Sequence, residues 1–329
     1  YEISACLVGS EMCIRDRALE AENLKSELKI PVTETQPKTT VEDVKKQTVK
    51  LSEYTTYSTN TENGTHNMAL SLAAANGTVL KPGEIFSFNE TTGDTTTGAL
   101  GYLPATGISN NKSVQVYGGG ICQSSTTIYG AALRADMEIV TRYNHRWPSS
   151  YVPIGQDATV DYPSTDFQFK NSSDYPVYIK AYMDGRTLVV QIYGHPSDEW
   201  DTIEVESWQT GVIPPPPTEY IVDESLPEGT VTWWTDACYG YTAEGEKVFY
   251  KNGQEVKREP IDSSYYMEGA AVYKIGPNTD PNAPSQNGGG DKPANTSSTT
   301  PPASSSTAPS SSQPSSTAPP SVSYTHLRA

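Results

Sequence analysis

Tyr117-Gly118-Gly119-Gly120-Ile121-Cys122-Gln123-Ser124-Ser125-Thr126-Thr127 runs three consecutive glycines into a lone cysteine at what reads as the first turn of a helix. Glycine tolerates positive φ and lets a backbone or a ligand come close. A helix N-terminus presents free N–H groups and the positive end of the dipole, and both favour a thiolate over a thiol. The helix continues to residue 135, with Ile128, Ala131, Ala132 and Leu133 giving it an apolar side.

Upstream, Met68, Leu72 and Ala75 recur at helical spacing over residues 63–75, and Asn76-Gly77 closes that helix. After the turn Lys81-Pro82-Gly83-Glu84, Ile85-Phe86-Ser87-Phe88 alternates as a short strand. Downstream, residues 137–145, 166–170, 177–183 and 188–193 read as strands, punctuated by Asn171-Ser172-Ser173-Asp174 and Asp184-Gly185. Two helices with mainly antiparallel strands predict an α+β domain over residues 52–198.

Residues 203–277 show no helical period. Short strands are expected at 220–222, 229–234, 247–250 and 271–275, with the hairpin signal Asn252-Gly253 and a stiff polyproline crossing at 214–217. This predicts a small all-β module. Residues 278–322, rich in Ser, Thr, Pro, Gly and Asn, read as a disordered tail. Residues 1–17 and 323–329 resemble translated sequencing-adapter read-through and are set apart from fold reasoning. Residues 18–51 look like the end of an upstream domain and a linker, with a short helix starting near Thr40.

The chain has 329 residues and a formal charge of -16. Its basic residues are scattered, which argues against nucleic acid as a partner. With the read-through ends removed, Cys122 and Cys238 remain; they form neither a CxxC pair nor a disulfide framework, and each reads as a free thiol. No HExxH or paired-cysteine spacing points to a metal, and no cofactor is expected. No apolar run approaches the roughly 20 residues that span a bilayer. The true N-terminus is expected to be missing, and membrane anchoring through that missing segment is expected with it. The Ser/Thr/Pro tail points to an extracellular or wall-associated setting.

Beyond Cys122, Arg142-Tyr143-Asn144-His145-Arg146 supplies a histidine and Gly155-Gln156-Asp157 an aspartate. Together they make a Cys-His-Asp set for nucleophilic catalysis. Backbone N–H groups of Gln123 and Ser124, or of the run containing Gly119 and Gly120, are the candidate oxyanion donors. Ser124, Ser125, Thr126 and Thr127 either grip a peptide or cap the helix. Each residue also has a plainer reading. Cys122 can be a small buried apolar side chain, His145 a half-buried member of a strand alternating Thr141, Tyr143 and His145, and Asp157 a turn former. Outside this set, His66 stacks or caps, His195 marks a boundary turn, and Cys238 is a β-core residue. Trp233, Trp234, Tyr239 and Tyr241 are either core or a platform for sugar rings.

Residues 53–196 resemble the VanW family. The residues that carry the resemblance are the run 76–89 (Asn-Gly-Thr-Val-Leu-Lys-Pro-Gly-Glu-Ile-Phe-Ser-Phe-Asn), the stretch 118–129, Arg142-Tyr143-Asn144-His145, the stretch 151–160 and Phe169-Lys170-Asn171. Family members usually have Asn-His-Ser where this chain has Asn144-His145-Arg146-Trp147. Residues 203–277 are similar to G-five domains through Glu206, Tyr220, Gly229, Tyr250, Asn252-Gly253, Tyr265 and Gly276-Pro277. Residues before 51 look like the end of a peptidoglycan-binding domain. The family takes its name from a glycopeptide-resistance cluster. The resemblance implies a bacterial cell-envelope protein whose partners are peptidoglycan stem peptides and glycan strands. It implies L,D-transpeptidase activity with Cys122 as nucleophile and His145 and Asp157 as its partners. The alternative is a non-catalytic wall module that binds peptidoglycan.

Overall fold

A computed structural model describes residues 48–109 and 112–281. The two read-through ends, the helix near Thr40, nearly all of the upstream fragment and all but the start of the tail lie outside the described residues.

The fold opens with strand β1 (Val49–Tyr57), followed by helix α1 (Glu62–Ala75), β2 (Val79–Leu80), β3 (Ile85–Ser87) and the short α2 (Phe88–Thr92). A hairpin, β4 (Pro104–Ser109) and β5 (Lys112–Tyr117), leads through the glycines into α3 (Ile121–Arg134). Strands β6 (Glu138–Thr141), β7 (Gln168–Lys170), β8 (Val177–Asp184) and β9 (Thr187–Gly194) complete this part. The antiparallel sheet β1-β9-β8-β2 carries α1 and α3, and a second sheet is ordered β3-β7-β6. The α+β class holds, with three helices among the described residues where two are predicted. The short α2 follows directly from β3 because Ser87 caps it, its hydroxyl accepting from Glu90 N.

Helix α1 buries Gly64, Asn67, Met68, Ser71, Leu72 and Ala75, a stripe of the helical period facing the sheet and α3. Thr61 caps its start, accepting from Gly64 N. Helix α3 is buried on nearly every side and forms the centre of the domain. Strand β1 crosses it where Gly130 leaves room, since a Cβ there would sit 2.2 Å from the Tyr54 ring. Arg134 closes α3 by donating to Gly130 O at 3.0 Å and lies over the Tyr54 ring at 4.2 Å. Strand β1 begins inside residues 18–51, the stretch expected to be an upstream fragment.

The strand expected over 137–145 stops at Thr141. There the register with β7 shifts, and Arg142 turns inward to Asp157 and Gly155 instead of continuing the ladder. The expected alternation of Thr141, Tyr143 and His145 on one strand face therefore does not exist.

The β module contributes β10 (Thr202–Ile213), β11 (Glu219–Val222), β12 (Val231–Thr235), β13 (Gly240–Lys251), β14 (Gln254–Pro260), β15 (Ser264–Tyr266) and β16 (Val272–Ile275). The β13–β14 hairpin turns on Asn252 (φ 51°) and Gly253 (φ 74°), as the Asn-Gly signal predicts. By compactness the described chain forms two units. One holds residues 48–219 with 234–273, so the sheet β10-β13-β14 and its partner β15 belong with the α+β domain. The other holds 220–233 with 274–281 and centres on the sheet β11-β16-β12. In it, Lys274 Nζ pairs with Asp223 Oδ2 at 2.7 Å.

Candidate active site

Cys122 is the second residue of α3 and is partly buried. The three glycines before it are demanded by close backbone packing. A Cβ on Gly118 (φ 70°) would meet Thr95 O at 2.6 Å, and one on Gly119 would meet Ala105 O at 2.5 Å. Gly120, the cap residue, sits at φ 102° against Gly64 O and the Met68 side chain. The helix can start at this depth only with side chains absent.

A row of buried hydroxyls on α3 docks the segment 157–160. Ser125 Oγ donates to Ala158 O at 2.6 Å, Thr126 Oγ1 donates to the same carbonyl at 3.1 Å, and Ala158 N donates back to Thr126 Oγ1 at 3.0 Å. This brings Thr159 Oγ1 to 3.5 Å and Val160 O to 3.4 Å from the Cys122 sulfur. Thr159 N donates to Tyr143 O at 2.8 Å, so the loop after β6 runs alongside and delivers His145.

His145 Nδ1 lies 2.6 Å from Asp157 Oδ2, and the His145 backbone N–H donates to that oxygen at 2.6 Å. Ser149 Oγ is 3.2 Å from the same ring nitrogen, and Tyr151 meets the ring edge-on at 6.4 Å between centroids. With Nδ1 engaged by the carboxylate, Nε2 is the other ring nitrogen, and the imidazole stands close enough to Cys122 for each to shift the other's ionisation. Asp157 is 1% exposed. Its Oδ1 accepts from Tyr266 OH and from Arg142 Nη2 at 3.4 Å, and its carbonyl accepts from Arg142 Nε at 2.7 Å. The buried carboxylate is thus fully paired, as burial of a charge requires.

These contacts set the protonation states. Burial pushes the Cys122 thiol up, but the hydrogen bond and charge of His145, with the Thr159 hydroxyl, hold it below its ordinary value. Burial lowers the His145 imidazole, and its bonds to Asp157 and Cys122 outweigh this and raise it to about 10. Burial raises Asp157, and the bonds and charge of His145 bring it net below the usual carboxylate range. Burial, with the neighbouring Cys122, pushes the Tyr151 phenol far up despite its bonds to Ser149 and Thr126. The arrangement supports a thiolate–imidazolium pair oriented by a carboxylate.

The VanW like protein family model matches residues 63–193, and the G5 domain model matches residues 204–277. The chain carries a VanW domain followed by a G5 domain. Over 147 residues it is 38% identical to the uncharacterized protein YoaR of Bacillus subtilis (strain 168), covering 44% of this chain and 48% of that protein. It is 28% identical over 141 residues to the vancomycin B-type resistance protein VanW of Enterococcus faecalis (strain ATCC 700802 / V583), covering 40% of this chain and 50% of that one. The chain spans about half the length of the curated relatives it matches. A solved IgA1 protease G5 domain is 24% identical over 22% of this chain and 86% of that chain, with a TM-score of 0.18.

Within the VanW domain the structure brings Cys122, His145 and Asp157 together, and it changes the part expected of their neighbours. Ser124 is fully buried, accepts from Ser71 Oγ at 2.9 Å and donates to Met68 O at 3.4 Å. Ser125, Thr126 and Thr127 are also fully buried, and Thr127 donates to Gln123 O at 2.7 Å. These side chains are packing elements spent on interior bonds, so they neither grip a peptide nor cap the helix. The Gln123 side chain donates to Thr56 Oγ1 at 3.0 Å, and its backbone N–H donates to Gly120 O at 3.0 Å. Gly119 N likewise donates to Val116 O at 3.2 Å, so both amides already serve the turn that starts α3.

His66 lies away from this cluster, with Nε2 3.1 Å from Gly101 O, and His195 stacks on Tyr175 at 3.9 Å. Cys238 is partly buried and accepts from Trp147 Nε1 at 3.3 Å. Arg142, Tyr151 and Thr159 belong to the site although sequence reasoning assigned them no role; all three lie in the motif segments, so proximity to His145 and Asp157 was their signal. Tyr266 and Ser264 come from the G5 domain and had none.

Proposed function

We propose that the VanW domain is a cysteine L,D-transpeptidase acting on peptidoglycan stem peptides at the outer face of a bacterial envelope. The observation that carries this reading is the placement of Cys122 in the first turn of α3 in one cluster with an imidazole whose Nδ1 is locked by Asp157 at 2.6 Å. The Cys122 thiolate attacks the carbonyl carbon between an L-centre and the terminal D-residue of a donor stem. The oxyanion of the tetrahedral intermediate collects at the positive N-terminal end of α3, where one well-placed donor contributes about 3 kcal/mol. Imidazolium His145 gives its proton to the departing amine as the C–N bond breaks and the thioester forms. An acceptor amine then attacks the thioester, His145 takes up its proton, and the thiolate leaves. Asp157 holds the ring in the required orientation throughout.

The test is incubation of the full chain with muropeptide tetrapeptides, followed by mass spectrometry. An acyl adduct on Cys122 and cross-linked dimers support the reading. A Cys122→Ala variant as active as the parent overturns it.

The G5 domain suggests a second, binding role. It leaves Trp208, Tyr239 and Tyr265 exposed, aromatic surfaces of the kind that stack on sugar rings. Co-sedimentation with purified sacculi that persists in Cys122→Ala supports glycan binding as a separate contribution, and no co-sedimentation by either protein removes it.

A further inference from the structure

The carboxylate that orients His145 is gripped from its other side by a tyrosine of the G5 domain. Tyr266 is fully buried, its hydroxyl bonds Asp157 Oδ1, and the same oxygen accepts from Gly155 N at 2.8 Å. Two residues earlier on β15, Ser264 Oγ accepts from Arg142 Nη1 at 2.8 Å, while Arg142 Nη2 donates to Gly155 O at 3.2 Å. Residues two apart on a strand share a face, so one face of β15 addresses both Asp157 and the arginine that pairs with it.

The backbone of the same stretch holds the loop that carries the histidine. Asn144 Nδ2 donates to Tyr265 O at 2.7 Å and to His145 O at 2.7 Å, and Met267 N donates to Arg146 O at 3.0 Å. Behind this contact β15 pairs with the long strand β13 through Tyr241↔Tyr266, Thr242↔Tyr265 and Ala243↔Ser264. The support is therefore anchored in the sheet of the G5 domain and does not hang from a free loop.

We propose that Tyr266 is a positioning residue for the Cys122–His145–Asp157 set, so that the G5 domain completes the catalytic centre of the VanW domain in cis. The inference deepens the transpeptidase reading and rests on it. Asp157 Oδ2 takes both bonds from His145, and Oδ1 must be held for the carboxylate plane to stay fixed. Arg142 reaches Oδ1 only at 3.4 Å, which leaves the Tyr266 hydroxyl as its other donor. Burial and the adjacent Asp157 push the ionisation of Tyr266 far up, so the phenol stays protonated and keeps donating.

The test uses the full chain and Tyr266→Phe, which keeps the ring and deletes one oxygen. The rate of Cys122 alkylation by iodoacetamide is followed against pH by peptide mapping, with Cys238 as internal reference, beside kcat and KM for muropeptide transfer. Loss of a hydrogen bond to the charged carboxylate is expected to lower kcat roughly tenfold or more with KM nearly unchanged. The alkylation midpoint is expected to rise by about one unit. A parent enzyme whose Cys122 titrates like an ordinary thiol overturns the nucleophile reading itself. A parent with a depressed midpoint and a Tyr266→Phe profile superimposable on it overturns the positioning role alone, whatever happens to the melting temperature. If Tyr266→Phe does not fold, Ser264→Ala takes its place. It is expected to shift the midpoint upward by a smaller amount, and an unchanged midpoint overturns the proposal.

Discussion

Asp157 Oδ2 receives both the backbone N–H and the ring Nδ1 of His145, each at 2.6 Å. Bonding main chain and ring of one residue to one oxygen removes the freedom of χ1 and χ2 together. The imidazole is thereby aimed before any substrate arrives, the condition under which a base contributes most. Asp157→Asn keeps the size of the side chain but offers an amide where an acceptor is needed. Transfer activity is expected to fall by about 10³-fold or more, as in other nucleophile–His–Asp sets. The substitution also leaves Arg142 buried without its anion, which costs about 3–5 kcal/mol. Steady-state kinetics together with denaturant unfolding check both parts.

The protonation states define a pH window. Below the depressed Cys122 value the sulfur is a thiol, and above about 10 His145 is neutral and, on the proposed mechanism, has no proton for the departing amine. The acylation rate is expected to be bell-shaped, rising on the acid side at a pH below that of a free cysteine and falling near pH 10. Stability follows the same groups. The raised His145 contributes stabilisation that is complete below its unfolded value and is lost as pH rises through about 10. The depressed Asp157 contributes stabilisation present above its unfolded value and lost as pH falls through its folded value. For these two groups, melting temperature against pH is expected to be highest between their unfolded values, about pH 4 to 6.5, and to fall on either side. A steady rise from pH 7 to 11 would contradict this.

The buried hydroxyls of α3 make a separate prediction. Ser125→Ala removes the hydroxyl that donates to Ala158 O at 2.6 Å and lies 3.0 Å from Cys122 O. It is expected to cost about 0.5–1.5 kcal/mol in stability, because the Ala158 carbonyl loses its shorter bond and keeps only that from Thr126 at 3.1 Å. Ser124→Ala is expected to act similarly, and KM for stem peptides should stay within about twofold of the parent for variants that do not touch substrate. A raised KM at unchanged stability would restore these residues to the substrate site.

Glycine positions can be told apart by what surrounds them. Gly119→Ala would place a Cβ 2.5 Å from Ala105 O at an unstrained φ, so the cost is steric. It is expected to be about 1–3 kcal/mol and to shift α3 together with Cys122. Gly77→Ala meets nothing within 4 Å at φ 86° and is expected to cost only the local strain of about 1–2 kcal/mol. Thermal unfolding and Cys122 alkylation rates separate the two, with only Gly119→Ala changing reactivity.

Helices α1 and α3, the strands β8 and β9, and the Asn252-Gly253 hairpin were legible because local periodicity and turn chemistry coincide there with the tertiary outcome. The end of β6 was not. Continuing the strand to His145 satisfies local alternation, but the pull of Asp157 and Gly155 on Arg142 outweighs it, and that pull comes from residues 13–15 positions away. Cys122, His145 and Asp157 stood out by residue type and setting. The burial of Ser124, Ser125 and Thr126 did not, because a polar side chain with interior partners looks like a surface one in a sequence. Tyr266 was the least legible, being 109 residues from Asp157 and in a different domain.

Strand β1 lies upstream of residues 63–193, yet it pairs with β9 along its whole length and lays Tyr54 over Gly130 of the central helix. A shortened chain begun at the start of the VanW match would strip β9 of its neighbour and leave a row of unpaired amides beside newly uncovered apolar side chains. Such an edge recruits strands from other molecules. Insolubility of a fragment trimmed to that boundary would be a consequence of where the cut fell and would say nothing about the chemistry of the Cys122 site.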